Sequence, residues 1–236
     1  MGDPLVVAVD GPGGSGKSTV ARALARRLGV RYLDTGAMYR AVTWLALQRR
    51  LDIEDAEGLA ELAERAALTV ATNPDGPGIA VDGTDVSRQI RSRPVTSAVS
   101  AVSAVEAVRR RLVDQQRAII AADPSGIVVE GRDIGTVVAP DAPLKVFLTA
   151  STAVRARRRS AEIGEAGDDA VAQTMAELGR RDALDSGRVA SPLTQAPDAL
   201  VVDSSDLSVD AVVDLIVAEL TERHDTAGLA DVRTAP

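Results

Sequence analysis

The apolar run Leu5 to Val9 leads through Asp10 into Gly11-Pro12-Gly13-Gly14-Ser15-Gly16-Lys17-Ser18, which fits G-x-x-x-x-G-K-[ST] at every fixed position. Holding a phosphate with backbone alone needs several N–H groups turned into one small concavity. Glycine allows both that turn and a close approach of the chain. A short all-apolar run reads as a buried parallel strand, and Lys17 to Leu28 as a helix whose N-terminus meets the anion. Strand, loop and helix in that order specify a nucleoside triphosphate site over Gly11 to Thr19. Within it Lys17 reaches the β- and γ-phosphates and the Ser18 hydroxyl ligates Mg2+.

Strands and helices alternate along the rest of the chain. Arg31 to Asp34 reads as a second strand, and Thr35 as the N-cap of a helix to about Arg50. A helix near Glu57 to Ala67 follows. Leu68 to Ala71, Ile79 to Asp82 and Gly83 to Val86 surround the turn-rich Asn73 to Gly78 and read as short antiparallel strands, a β insert outside the main sheet. Pro94 to Ala122 is helical with a break near Glu106. Ile127 to Val129 is a buried strand ending in Glu130-Gly131-Arg132-Asp133, and Leu144 to Leu148 is the next. Helices follow from Thr152 to about Ile163 and from about Ala170 to Leu184. Ala199 to Asp203 is the last strand, Val209 to Arg223 the closing helix, and the segment from His224 a frayed tail. Such alternation means a parallel sheet with right-handed crossovers and a ligand at the carboxyl ends of its strands. That rule gathers the glycine loop, Asp34-Thr35, Glu130 to Asp133 and the helices after Leu148 on one edge.

The net charge of −7 argues against bulk nucleic-acid binding, and the absence of cysteine excludes a disulfide framework or a thiolate metal site. With no signal peptide, no bilayer-length apolar run and no exposed apolar stripe in sight, a cytoplasmic monomer is expected. Lys17 and Lys145 are the only lysines, so nearly all positive charge is guanidinium. The planar fork of arginine binds phosphate oxygens in pairs.

Four motifs then stand in order: Gly11 to Ser18, Asp34-Thr-Gly-Ala-Met-Tyr-Arg40, Gly131-Arg-Asp-Ile-Gly-Thr136, and Arg181-Asp-x-x-Asp185-x-x-Arg188-x-x-x-Pro192-Leu. Over about residues 4 to 222 the chain resembles bacterial cytidylate kinase. The resemblance implies an α/β, three-layer P-loop NTPase fold with a central parallel sheet, a helical lid and a β insert in the NMP-binding region. It implies a core of 4–34, 94–154 and 189–223 and an NMP-binding region of 35–93 with the insert at about 68–92. It further implies a lid of 155–188 and a flexible tail of 224–236. The implied reaction is ATP plus CMP or dCMP giving ADP plus CDP or dCDP, with Mg2+.

By the same resemblance Arg40, Arg132, Arg181 and Arg188 contact the acceptor phosphate or the transferring group. Arg155, Arg158 and Arg159 come near the ATP phosphates on a mobile lid, although the four arginines of Arg155 to Arg159 cannot all face one ligand. Asp133 accepts from the exocyclic amine of cytosine, where uracil shows an acceptor, while Arg109 donates to the ring and Ser100 supplements it. Asp185 takes the ribose hydroxyls beside Arg181, and Thr35 and Tyr39 complete the acceptor pocket. Two positions depart from the usual pattern. Thr35 stands where serine also occurs, with the hydroxyl retained. Glu130 stands where the family usually shows Asp, at the end of the strand beside the glycine loop, in the place of a ligand to Mg2+ through water.

Two other classes fit less well. A P-loop kinase for AMP, UMP or a shikimate-like alcohol has no need of the β insert and the Asp133–Arg109 pair. A guanine-specific switch needs Asn-Lys-x-Asp, and the only asparagine, Asn73, precedes a proline.

Overall fold

A computed structural model describes residues 4–162, 164, 167–188 and 191–233, with side chains as far as Arg223. In chain order, β1 (Val6–Asp10) leads to α1 (Lys17–Leu28), β2 (Arg31–Asp34), α2 (Thr35–Gln48) and α3 (Ala56–Arg65). Next come β3 (Leu68–Ala71), β4 (Gly78–Val81), β5 (Thr84–Asp85), α4 (Arg93–Ala104) and α5 (Glu106–Ala121). The chain continues through β6 (Ile127–Glu130), β7 (Leu144–Thr149), α6 (Thr152–Glu162), α7 (Asp168–Ser186), β8 (Leu200–Asp203) and α8 (Val209–Arg233).

Five strands form a parallel sheet in the order β2-β6-β1-β7-β8. β1 is central and buried throughout, with Val7 opposite Val128 on one side and Leu144 on the other. Successive side chains of a strand point to opposite faces. Accordingly Val6 and Ala8 pack with Leu45 of α2 and Leu112 of α5, whereas Val7 and Val9 pack with Leu24 of α1 and Ile216 of α8. A strand apolar on both faces needs cover on both, and the helices supply it as two outer layers. β3, β4 and β5 make a separate antiparallel sheet whose Ile79 and Val81 face the α2 side of the core. Tyr32 N donates to Thr72 O at 2.8 Å and so ties the outer edge of β2 to the chain leaving β3.

Local differences from the sequence reading have local causes. The N-cap of α2 is Asp34, not Thr35: its Oδ1 accepts from Ala37 N at 2.9 Å. A carboxylate takes the free amide and meets the positive end of the helix, which leaves the Thr35 hydroxyl for Glu130 O at 2.7 Å. The expected break near Glu106 falls at Val105, whose extended backbone separates α4 from α5. The closing helix runs on to Arg233, so the expected fray at His224 falls inside it. That stretch has one glycine, Gly228, and no proline before Pro236. Among the described residues no helix is long and apolar enough to cross a membrane.

Gly11 leaves β1 with φ 147°, and a Cβ there would lie 2.0 Å from Leu148 O on β7. Its glycine answers to the packing of two strands. Gly11→Ala should therefore cost about 3 kcal/mol of stability. A drop on the order of 10 °C in the thermal midpoint would register it.

Candidate functional site

The carboxyl ends of β1, β2 and β6 and the first turns of α1 and α2 open into a cleft of about 480 Å³. α6 and α7 cover it from one side, and the segment Leu207 to Val212 closes its far end. Gly13 to Thr19 line the cleft, whereas Gly11 and Pro12 do not. Pro12 instead offers its carbonyl to Lys17 Nζ at 2.8 Å. Burial, and then Arg132 nearby, hold the Lys17 ammonium well below its ordinary pKa, against the pull of Glu130, Asp10 and Asp34. A dry cation of this kind gains strongly from an incoming anion.

The four arginines of α6 separate. Arg158 faces the cleft and donates to Ser204 O at 2.7 Å and Ser204 Oγ at 3.0 Å. Arg159 also faces it, paired with Glu162 at 2.9 Å, and Arg157 is exposed. Arg155 does not line the cleft. It is buried, donating to Ala150 O at 3.2 Å and Gly13 O at 3.1 Å and pairing with Asp182. In the first turn of α6 it lies against backbone carbonyls that take its donors. The loop fits closely beneath it, since a Cβ on Gly14 (φ 76°) would lie 2.8 Å from Arg155 O.

At the other end Arg109 and Asp133 form a buried ion pair, and Arg109 lies 5.2 Å from the centroid of the Tyr39 ring. Arg109 Nη1 also donates to Ser103 O at 3.2 Å. Between the two ends, Asp185 accepts from Arg132 Nε at 3.1 Å, and Arg188 donates to Ser103 Oγ at 3.2 Å. Arg40 and Arg181 line the same space. Burial, with Arg132 and Arg40 close by, brings the Arg181 pKa down to about 10. Burial lowers Arg40 and Arg188 as well.

Ten cationic side chains and five carboxylates line the cleft, in a chain whose net charge is −7. Polar atoms of its lining that are buried without a hydrogen-bond partner include Ser15 Oγ, Ser100 Oγ, Arg109 Nε, Arg181 Nε and Arg188 Nη2. Each such atom costs about 1–3 kcal/mol, so their gathering in one cleft marks a polar, anionic ligand.

Beside the loop Ser18 Oγ donates to Glu130 Oε2 at 3.0 Å, and the Tyr32 hydroxyl donates to Glu130 Oε1. Burial, reinforced by Asp34, raises the Glu130 pKa, while Lys17 and the two hydroxyls oppose the rise. Among the described residues no group of three or more His, Cys, Asp or Glu could hold a metal ion. A cation here would take most of its oxygens from its ligand and from water, which is the habit of Mg2+.

Sequence reasoning overlooked Asp10 and Tyr32. Asp10 accepts from Ile134 N at 2.9 Å and Gly135 N at 2.8 Å, linking the strand before the glycine loop to the turn after Asp133. The available signal was a polar group within an apolar, fully buried strand. Ser103 is a further lining residue, and its contact with Arg188 spans 85 positions of chain.

Comparison with known proteins agrees over nearly the whole chain. A family model described as Cytidylate kinase matches residues 7–222. The curated cytidylate kinase of Mycolicibacterium paratuberculosis is 52% identical over 229 residues, covering 96% of this chain and 100% of the relative. That of Nocardia farcinica is 53% identical over 224 residues, covering 94% and 96%. Among solved structures, an uncharacterized protein from Eubacterium ventriosum matches with a TM-score of 0.52 at 12% identity, covering 92% of this chain and 98% of that one. That likeness speaks for the fold alone.

Burial raises the Asp10 pKa from 3.8 to about 6, with Asp133 adding to the rise and the Gly135 and Ile134 amides and Lys17 opposing it. Between those values the folded chain holds a proton that the unfolded chain releases. The group's contribution to stability is therefore complete below about pH 4 and lost as pH rises through about 6. The stability of the wild type minus that of Asp10→Asn should fall by up to about 3 kcal/mol across that window and be level above it. Urea unfolding at a series of pH values measures it.

Proposed function

The chain belongs to the cytidylate kinase family and is a phosphotransferase that phosphorylates CMP and dCMP, and we propose the following division of labour in its cleft. The observation that carries it is the excess of cations, with unpaired nitrogens on Arg109, Arg181 and Arg188 among them, beside a glycine loop at a helix N-terminus. ATP lays its β- and γ-phosphates on the amides of Gly13 to Thr19, and Lys17 exchanges Pro12 O for phosphate oxygens. The acceptor phosphate sits among Arg40, Arg132, Arg181 and Arg188, whose guanidinium groups share its oxygens.

An oxygen of the acceptor phosphate attacks the γ-phosphorus, the bond to the β–γ bridging oxygen breaks, and ADP leaves. The attacking oxygen is already an anion, because the second ionisation of a phosphate monoester lies near pH 6, so no general base is required. The obstacle is repulsion between two anions. Preorganised guanidinium groups in a dry site offset it and stabilise the equatorial charge of the transition state. Closure of the lid, residues 155–188, brings Arg158 and Arg159 over ATP and keeps out water. Arg155 acts at the root of that lid, its donors being engaged by Gly13, Ala150 and Asp182.

Cytosine is read by the Arg109–Asp133 pair, with Asp133 accepting from the amine, Arg109 donating to the ring, Ser100 supplementing and Tyr39 packing alongside. Asp185, steadied by Arg132 and Arg188, takes the ribose hydroxyls. Ser18 and Glu130 fit Mg2+, since both present hard oxygens at the edge of the loop. Ser18 would hold the ion directly and Glu130 through water. When bound, it neutralises charge on the β- and γ-phosphates. A monomer at work in the cytoplasm completes the reading.

ADP release with Mg·ATP should be largely confined to CMP and dCMP among CMP, dCMP, UMP, AMP, GMP and shikimate, and preference for another acceptor would overturn the cytosine reading. Asp133→Asn should lower kcat/KM for CMP roughly 10- to 100-fold with the Kd of Mg·ATP unchanged. Equal loss of both would put Asp133 in the other subsite. Lys17→Ala should lower kcat by about 10³ or more while its circular dichroism and thermal midpoint stay close to wild type.

A further inference from the structure

Tyr32 is a phenol in a layer that has no use for one. Its ring is 2% exposed and packs with Val7, Val9, Val20, Leu24 and Val128, where a phenylalanine would fill the same space. A buried tyrosine hydroxyl needs a partner, and this one has Glu130 Oε1. The sheet register explains how they meet. β2 and β6 run parallel with Tyr32 opposite Val128 and Asp34 opposite Glu130. The two-residue period then puts Tyr32 and Glu130 on one face, the face covered by α1, whose first turn carries Ser18.

Both carboxylate oxygens are thereby engaged, Oε1 by Tyr32 and Oε2 by Ser18 at 3.0 Å. Glutamate has one more rotatable bond than aspartate, and an unrestrained side chain here would lose time among rotamers. From this geometry we propose that Tyr32 is a positioning residue: it clamps Oε1 so that Oε2 of the longer side chain is presented to the Mg2+ edge of the glycine loop. It compensates for glutamate at position 130. The inference rests on the reading of Glu130 as a Mg2+ group in the preceding section. Glu130, reaching Mg2+ through water, is an outer-shell group of a kind worth about 10- to 100-fold in metal affinity or activity, and Tyr32 acts through it.

The test is calorimetric titration of ATP into the full-length protein, with Mg2+ and with EDTA. Its readout is the factor by which Mg2+ tightens ATP binding. Tyr32→Phe should reduce that factor about tenfold, with ATP affinity in EDTA and CMP affinity unchanged. In a Glu130→Asp background, where the side chain ends short of the phenol, adding Tyr32→Phe should change the factor less than twofold. The proposal is overturned if Tyr32→Phe keeps the wild-type factor, weakens ATP equally with and without Mg2+, or acts just as strongly in the Glu130→Asp background. Glu130→Gln separates the layers. If it leaves the factor intact, the metal role of Glu130 falls and the proposal with it. If it removes the factor while Tyr32→Phe does not, only the role of Tyr32 falls.

Discussion

Asp10 ends the central strand with its carboxylate accepting two amides, from Ile134 at 2.9 Å and Gly135 at 2.8 Å. The bond pair spans more than a hundred residues of chain, yet it joins the two segments on which the chemistry depends. One residue after Asp10 the glycine loop begins, and one residue before Ile134 stands Asp133. The spacing between the glycine loop and the turn that carries Asp133 is thus set by one carboxylate at the end of the central strand. That carboxylate is costly: burial works against its charge, and the two amides and Lys17 only partly offset it. What the fold gains is a fixed alignment of the two segments.

The cleft follows the same economy on a larger scale. Its arginines are gathered from α1, α2, α5, α6 and α7, the segments before α4 and after α7 and the turn after β6, and several are held below their ordinary pKa by burial and by one another. Carboxylates share the space but do not neutralise it: Asp185 touches Arg132 and Arg188, and Asp133 touches Arg109. Each acid orients a guanidinium while leaving some of its N–H groups unspent. Stability is lost locally so that an anion can restore it, a pattern common at functional sites.

Much of this was legible in the sequence because it is written in short-range terms. The strands of the main sheet show as apolar runs, and the glycine loop as fixed spacing. The resemblance carried the cleft residues, and the geometry does bring Arg40, Arg109, Arg132, Asp133, Arg181, Asp185 and Arg188 to one space. What remained hidden is decided by partners distant in sequence. Four arginines on one helix look alike until Ala150, Gly13 and Asp182 claim Arg155. Thr35 looks like a cap until Glu130 O takes its hydroxyl and leaves the work to Asp34. Gly11 reads as part of the phosphate cradle, yet the atom that demands a glycine is a carbonyl on β7.

Arg155 also has a mechanical meaning. Its guanidinium joins the beginning of α6 to Asp182 near the end of α7, and fastens both to the floor through Gly13 O and Ala150 O. A single buried group therefore clamps both legs of the helical hairpin at the same height. Farther out, the contacts of the hairpin with the rest of the molecule include half-exposed pairs, Arg91 with Glu162 at 3.4 Å and Arg93 with Glu177 at 3.6 Å, and Arg159 Nη2 donating to Thr96 Oγ1 at 3.5 Å. Such a body is a lever with its fulcrum at Arg155. The end of α6 lies roughly 10 Å along the helix axis from Arg155. A small tilt at the base thus becomes ångströms of travel at Glu162, and Arg158 and Arg159 ride between the two.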